Sequence, residues 1–245
     1  MRLIEGLKAL ILNTLFPPVC VSCKKEGDFL CAECLRDLEK KKISPHKAQK
    51  DQDFHYMDGV IYALDYAKNP QIQAAVKQLK YRFTQDLAEH FGNLIAEKIG
   101  ELSMAKNRHI VFIPVPLHKS RMNYRGFNQA EIIANSVARR MPDKSEVINI
   151  LERAVETKQQ AKLNKEERHK NLKGAFIMRE QFCHSESAAA EVANKKCVHQ
   201  YSSKNLYFLV DDVCTTGSTL ENCAEVLKSN GFEKIYGLVI ARAFK

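Results

Sequence analysis

Leu209-Val210-Asp211-Asp212-Val213-Cys214-Thr215-Thr216-Gly217-Ser218-Thr219 is the stretch that decides the fold. The apolar run Leu206–Val210 reads as a buried strand that ends in two adjacent carboxylates. A small hydroxyl-rich loop follows, then a helix over Leu220–Ser229 with Gly231 as its C-terminal stop. In a parallel sheet, ligands bind beyond the carboxyl ends of the strands, and a loop that opens a helix offers free backbone N–H groups to an anion. Thr215, Thr216, Ser218 and Thr219 add hydroxyl donors, and Gly217 lets the backbone come close to a phosphate. A phosphate held there leaves Asp211 and Asp212 within reach of vicinal sugar hydroxyls, which suits a ribose 5-phosphate. The competing reading is an ordinary strand–turn–helix capped by Thr219. It leaves two consecutive acids beside a phosphate-sized loop without a purpose. No dinucleotide-type G-x-G-x-x-G and no G-x4-G-K-[ST] occurs in the chain.

The surrounding pattern alternates strands with helices. Strands are expected over Gly59–Leu64, Ile110–Val115 and Ile235–Ile240, and helices over Ile72–Leu79, Leu87–Ile99 and Ala130–Arg140. Short, continuously apolar strands of this kind are covered on both faces. The fold class is therefore α/β, with a mainly parallel sheet between two helical layers.

Four of the eight cysteines form two pairs near the N-terminus, Cys20-x2-Cys23 and Cys31-x2-Cys34. Two such knuckles can close a tetrahedral thiolate site around one zinc ion. Lys24–Asp28 between them is a turn with no core of its own, so structural zinc would supply the folding free energy of the unit. Two disulfides, disfavoured by a reducing compartment, and a four-thiolate iron centre are the alternatives. Cys183, His184, Cys197 and His199 are not knuckle-spaced and read as ordinary side chains flanking a surface insertion. Residues 1–40 are thus expected to form a small zinc-binding unit, 41–54 a lysine-rich linker, and 55–245 the α/β domain.

The 245 residues are 45% hydrophobic and 27% charged, the balance of a folded chain. No apolar run approaches the roughly 20 residues of a membrane helix. Leu3–Leu15 reads as a short amphipathic helix stopped by Pro17 and Pro18, without a cleavage site, so a cytoplasmic location and no membrane insertion are expected. A net charge of +9 argues for a polyanionic partner, nucleic acid or a phosphate-rich ligand, unless it only keeps the surface soluble.

The aspartate–threonine string resembles the phosphoribosyl-pyrophosphate loop of type I phosphoribosyltransferases. Two further stretches narrow the likeness. One is Pro114-Val-Pro-Leu-His-Lys-Ser-Arg121-Met-Asn-Tyr-Arg125-Gly126-Phe127-Asn128-Gln129-Ala130. The other is Arg153-x3-Thr157-x2-Gln160-x2-Leu163-x4-Arg168-x2-Asn171-x2-Gly174-Ala175-Phe176. With the cysteine pairs, the chain resembles the ComF family of competence-related proteins, specifically its ComFC-like members, over nearly its whole length. Leu79-Lys80-Tyr81-Arg82 resembles another family element, from which Phe83-Thr84 departs by lacking a glycine.

The resemblance implies a phosphoribosyltransferase-like domain that binds phosphoribosyl pyrophosphate with Mg²⁺ and is linked to DNA uptake in natural transformation. Asp211 and Asp212 would orient the ribose and oppose positive charge on its ring, and Thr215, Thr216, Gly217, Ser218 and Thr219 would hold the 5-phosphate. The basic loop after the second strand, with Lys119, Arg121 and Arg125, would hold the pyrophosphate through bidentate arginine contacts, unless it is only a solvated loop. The basic segment from Arg153 to Lys173 reads as a hood over the site, one side of a nucleic-acid groove, or a plain exposed helix. If chemistry occurs, it is phosphoribosyl transfer to an acceptor for which no residue stands out as a general base. The alternative is a non-catalytic module of the competence machinery that keeps the fold and holds single-stranded DNA or a helicase. Few aromatics, chiefly Tyr124 and Phe127, accompany the basic residues, which supports base stacking only weakly.

Overall fold

The structure is a computed structural model, and it describes residues 17–40, 54–67, 69–80, 85–155, 174–182 and 205–243. The readings for 3–15, 41–53, 156–173 and 183–199 lie outside the described residues, as do Tyr81–Thr84.

Five strands pair into one parallel sheet: β1 (Gly59–Asp65), β2 (Ile110–Pro114), β3 (Ser145–Val147), β6 (Leu206–Cys214) and β7 (Ile235–Arg242), in the order β1-β7-β6-β2-β3. A separate antiparallel pair joins β4 (Leu151–Arg153) to β5 (Phe176–Met178). The helices are α1 (Ala32–Lys40), α2 (Pro70–Gln78), α3 (Gln85–Glu101), α4 (Lys119–Arg125), α5 (Gln129–Ala138) and α6 (Ser218–Ser229). The expected α/β class with a mainly parallel sheet is the class observed.

Strand alternation splits the core into two layers. Phe208 and Val210 of β6 join Phe112, Leu238 and the inward faces of α3 and α5 in one buried cluster. Tyr207 and Leu209 join Val111, Ile113, Val239 and the inward face of α6 in the other. α5 and α6 therefore lie on opposite faces of the sheet. From β2 the chain passes through α5 to β3 on one side, and from β6 through α6 to β7 on the other. Adjacent parallel strands whose connections diverge in this way leave a crevice beyond their carboxyl ends, the usual ligand position in an open α/β sheet. Here that crevice lies between the loops that follow Pro114 and Cys214.

Two local differences from the sequence reading shape this crevice. β6 was expected to end at Val210 but continues through both aspartates to Cys214, because β7 keeps pairing with it as far as Arg242. The basic loop after β2 contains the helix α4. His118 caps its N-terminus by accepting from the Ser120 N–H at 3.3 Å, and Gly126, at φ +76°, ends it by donating to Met122 O at 2.7 Å. At the far end of α6, Gly231 (φ +85°) stops the helix as expected. Its N–H donates to Lys228 O and that of Phe232 to Leu227 O, a Schellman motif sealed by the buried Phe232 and Leu227.

The cysteine-rich unit does not stand apart from this core. Cys20, Leu30, Cys34 and Leu38 belong to the same buried cluster as Ile72, Leu87 and Phe91 of α2 and α3. No helix among the described residues is long and apolar enough to cross a membrane.

Candidate functional site

The crevice is a cavity of about 280 Å³. β6 contributes Asp211 and Asp212 to its wall, and Thr215, Thr216, Gly217, Ser218 and Thr219 form one edge. Arg121 and Arg125 of α4 line it from the β2 side, Arg153 comes from β4, and Lys80 and Tyr66 approach from the ends of α2 and β1. The two sequence stretches that stand out for anionic chemistry, about ninety positions apart in the chain, thus meet across one space because β2 and β6 are neighbours.

The loop between β6 and α6 is tightly shaped. Thr216 Oγ1 and Ser218 Oγ share a hydrogen bond of 2.9 Å, and Gly217 starts the helix at φ +77°. The N-cap of α6 is Gly217, which makes no side-chain cap, and Thr216 Oγ1 accepts from the Ser218 N–H at 3.4 Å, so the expectation of a Thr219 cap in the competing reading is not met. The first N–H groups of a helix have no carbonyl partner within it, and here they open beside the cavity. Gly217 is required for two reasons. Its φ lies in the left-handed region, and a Cβ placed on it would stand 2.3 Å from Cε1 of Phe54. Phe54, buried at the end of the expected linker, carries the Arg242 guanidinium over its ring at 5.6 Å. Glu221, one turn into α6, accepts hydrogen bonds from the N–H groups of His55 (3.0 Å), Tyr56 (3.3 Å) and Met57 (3.0 Å), which holds residues 54–57 beneath the loop.

The aspartates are consecutive in a strand, so they leave it in different directions. Asp211 Oδ1 accepts from the Asp212 N–H, and Asp212 Oδ1 from the Val213 N–H, both at 2.8 Å. Asp212 Oδ2 is buried and makes no hydrogen bond among the described residues; Lys80 Nζ stands 3.6 Å from it. Asp211 keeps a face on the cavity, but its carboxyl is deep enough that burial, with the neighbouring charge of Asp212 second, pushes its pKa well above the carboxylate range. A folded-state pKa above the unfolded one means that the ionised form is penalised in the folded chain. That penalty grows as pH rises past the unfolded value of about 3.9 and persists at neutrality. Asp211→Asn should therefore raise the melting temperature at pH 7, by an amount that shrinks toward pH 4. A variant that melts below the wild type at pH 7 would contradict the assignment.

In the N-terminal unit, Cys20 N donates to Lys25 O (2.8 Å) and Lys24 N to Cys20 O (3.0 Å), folding the first knuckle. Cys31 immediately precedes α1 and Cys34 lies in its first turn. All four sulfurs lie within 4.8 Å of one another, with Cys23 and Cys31 at 3.5 Å. Four sulfurs about 2.3 Å from a central zinc would be about 3.8 Å apart, whereas a disulfide requires about 2.05 Å. All four are free thiols. Burial raises the Cys20 pKa, but the N–H groups of Cys23, Cys31 and Ser22 overcome it and hold the thiol at about 6. Cys34 is drawn down by Ser22 but lifted further by burial and the neighbouring sulfurs, up to about 12. Sulfurs gathered so closely resist joint ionisation unless a cation sits among them, and the donor set fits zinc.

No protein-family model matches the chain. It is 34% identical over 131 residues to "Competence protein F" of Haemophilus influenzae, a match covering 54% of this chain and 49% of that protein. Over 234 residues, 91% of this chain and 83% of the other, it is 25% identical to "Competence protein ComFC" of Bacillus subtilis. "DNA utilization protein YhgH" of Escherichia coli O157:H7 is 27% identical over 176 residues, 70% of this chain and 66% of that protein. These similarities support the resemblance to the ComF family. The chain spans about half the length of the Haemophilus relative and most of the Bacillus one.

In this chain, Asp211, Asp212, Thr215–Thr219, Arg121 and Arg125 share the cavity. Lys119 does not line it: the side chain is 84% exposed and pairs with Glu152 at 3.6 Å. It opens α4, whereas Arg121 and Arg125 line the cavity. Lys80, Tyr66, Phe54 and Glu221 were not singled out from the sequence. Lys80 had a signal in the Leu79-Lys80-Tyr81-Arg82 element. Phe54 and Glu221 had none, since their roles arise from a contact between segments 166 positions apart in the case of His55 and Glu221.

Proposed function

We propose that the cavity binds phosphoribosyl pyrophosphate with Mg²⁺, and that the chain serves DNA uptake in natural transformation. The observation that carries the first part is the convergence of two strand-end carboxylates, a helix-opening hydroxyl loop and two arginines on one cavity. The 5-phosphate is held by the N–H groups and hydroxyls of Thr215–Thr219, the ribose hydroxyls by Asp211 and Asp212, and the pyrophosphate by Arg121 and Arg125. The buried Asp212 Oδ2, which lacks a hydrogen bond, fits a divalent cation in its vicinity, with Lys80 as the present counter-charge. Mg²⁺ bound with the sugar would neutralise pyrophosphate charge. The site suits transfer of the phosphoribosyl group: the aspartates oppose cationic charge on the ring, and the arginines stabilise the departing anion. Such groups are each worth roughly 3–4 kcal/mol.

Support for the second part comes from the printed names of the relatives and from the net charge of +9. The alternative, a single-stranded DNA or helicase-binding module, is favoured by Tyr124, which is 90% exposed on the basic helix α4.

One calorimetric experiment separates the two. Wild-type protein should bind phosphoribosyl pyrophosphate in the presence of Mg²⁺, and Asp211→Asn combined with Asp212→Asn should weaken that binding at least about 100-fold, about 1.4 kcal/mol for each of two charged hydrogen bonds to the ribose. Affinity of the same variant for a single-stranded oligonucleotide should stay within about twofold, with the steep salt dependence of phosphate contacts. Normal sugar binding by the double variant would refute the site.

A further inference from the structure

Asp212 is held at one oxygen and loose at the other. Oδ1 accepts from the Val213 N–H at 2.8 Å, whereas Oδ2 is buried without a hydrogen bond. Lys80 Nζ stands 3.6 Å from Oδ2, an ion-pair distance too long for a hydrogen bond. The two partners differ in freedom. The Asp212 side chain is 11% exposed and belongs to β6, which stays paired with β7 on both sides of it. The Lys80 side chain is 40% exposed and extends from the segment just past α2 on a flexible four-carbon stem. The carboxylate is therefore fixed, and the ammonium is the group that can move.

Lys80, Arg121, Arg125 and Arg153 line the cavity against Asp211 and Asp212, so the described wall already carries an excess of positive charge. A divalent cation arriving alone would add to that excess and would have to take Asp212 from the lysine. A cation carried by pyrophosphate arrives with more negative charge than it neutralises, and the displaced ammonium meets phosphate oxygens in the same space. Ion pairs are then exchanged and not lost: Asp212 passes from the ammonium to the cation, and the ammonium passes from the carboxylate to the pyrophosphate. No buried charge is left alone at the end, which is the costly outcome when one member of such a pair is removed. We propose that Lys80 is an exchangeable counter-ion that admits a divalent cation to Asp212 only together with pyrophosphate. The inference rests on the proposed function of the same cavity and assigns a further binding residue to it. A lysine suits this task, because its compact charge and three rotatable donors follow a moving stem, whereas a guanidinium keeps a fixed fork. Arg125 shows the contrast, with Nη1 donating to Gln129 Oε1 at 2.9 Å.

The test has two arms. In the first, Mn²⁺ alone, counted by electron spin resonance, is titrated into wild type, Lys80→Gln, Lys80→Arg and Lys80→Gln combined with Asp212→Asn. Lys80→Gln should bind Mn²⁺ at least about tenfold more tightly than wild type, since a single and a double positive charge a few ångströms apart repel by that much even in a watery surrounding. Lys80→Arg, which keeps the charge, should stay close to wild type, and Asp212→Asn should erase the gain. In the second arm, calorimetry with Mg²⁺ compares phosphoribosyl pyrophosphate with ribose 5-phosphate, which has no pyrophosphate to take the ammonium. Lys80→Gln should lower the preference for the pyrophosphate by about tenfold, as for one charged hydrogen bond. A lysine with a merely structural role would move both sugars together. Unchanged or weaker Mn²⁺ binding by Lys80→Gln, a gain that survives Asp212→Asn, or an unchanged preference between the sugars overturns the inference. Failure of wild type to bind phosphoribosyl pyrophosphate overturns the proposed function itself, and it is read without any substitution. Lys80→Met takes the place of Lys80→Gln in both arms should that variant fail to fold.

Discussion

Gly217→Ala is expected to cost about 2–5 kcal/mol of stability and to weaken ribose 5-phosphate binding by at least tenfold. The cost has two sources of known size. A left-handed φ of +77° penalises a residue with a Cβ by roughly 1–2 kcal/mol. The new methyl also meets Phe54 Cε1 at 2.3 Å, and crowding of this kind in a packed site costs about 1–3 kcal/mol. Either the ring or the loop must move, and the loop is the part proposed to hold the phosphate. Denaturant unfolding and phosphate titration of the four proteins in a Gly217→Ala and Phe54→Ala cycle apportion the effect. Removing the ring should relieve the second source, so the two substitutions should couple by about 1 kcal/mol or more. Strict additivity would show that Phe54 does not shape the loop.

Metal removal is expected to have the larger consequence. Structural zinc in small thiolate sites is worth an apparent 10–16 kcal/mol, and residues 17–30 are chiefly turns around the cysteines. Chelation should release one zinc per chain, measured with a chromogenic indicator, and bring amide exchange over residues 17–40 to near unfolded rates. From its composition the unit would unfold alone. Leu30 and Leu38, however, are buried in the cluster that also contains α2 and α3. Burial of one leucine contributes roughly 1.5–3 kcal/mol, an upper estimate where the unfolded chain is compact. The apo protein should therefore also show faster exchange in α3 and a lower melting temperature. Unchanged protection over residues 17–40 after complete zinc loss would dismiss a structural metal, and unchanged α3 would limit the effect to the unit.

The scaffold was legible where burial dominates. Ile110–Pro114 and Leu206–Val210 are continuously apolar, and a strand buried on both faces has no other composition available. Strand ends were less legible. Asp211 and Asp212 look like a turn by residue type, but ladder pairing with β7 holds them extended, and tertiary partners override local preference. The α4 helix hid in a loop-like composition. Its signals, a capping His118 and a terminating Gly126, become persuasive only when read together. Lys119 was grouped with Arg121 and Arg125 by charge and proximity in the chain, yet on a helix i and i+2 point to different sides. Arg153 was visible within a basic stretch, but its burial against Phe176 depends on the β4–β5 pairing, which no local pattern announces.

Glu221 ties three successive amides of one segment to the helix that follows the Thr215–Gly217 loop. Pulling Met57 and its neighbours free would strand an acid in a dry interior, so the attachment behaves mechanically as a rivet and not as a hinge. A displacement of residues 54–57 is thus delivered to the base of the loop undamped.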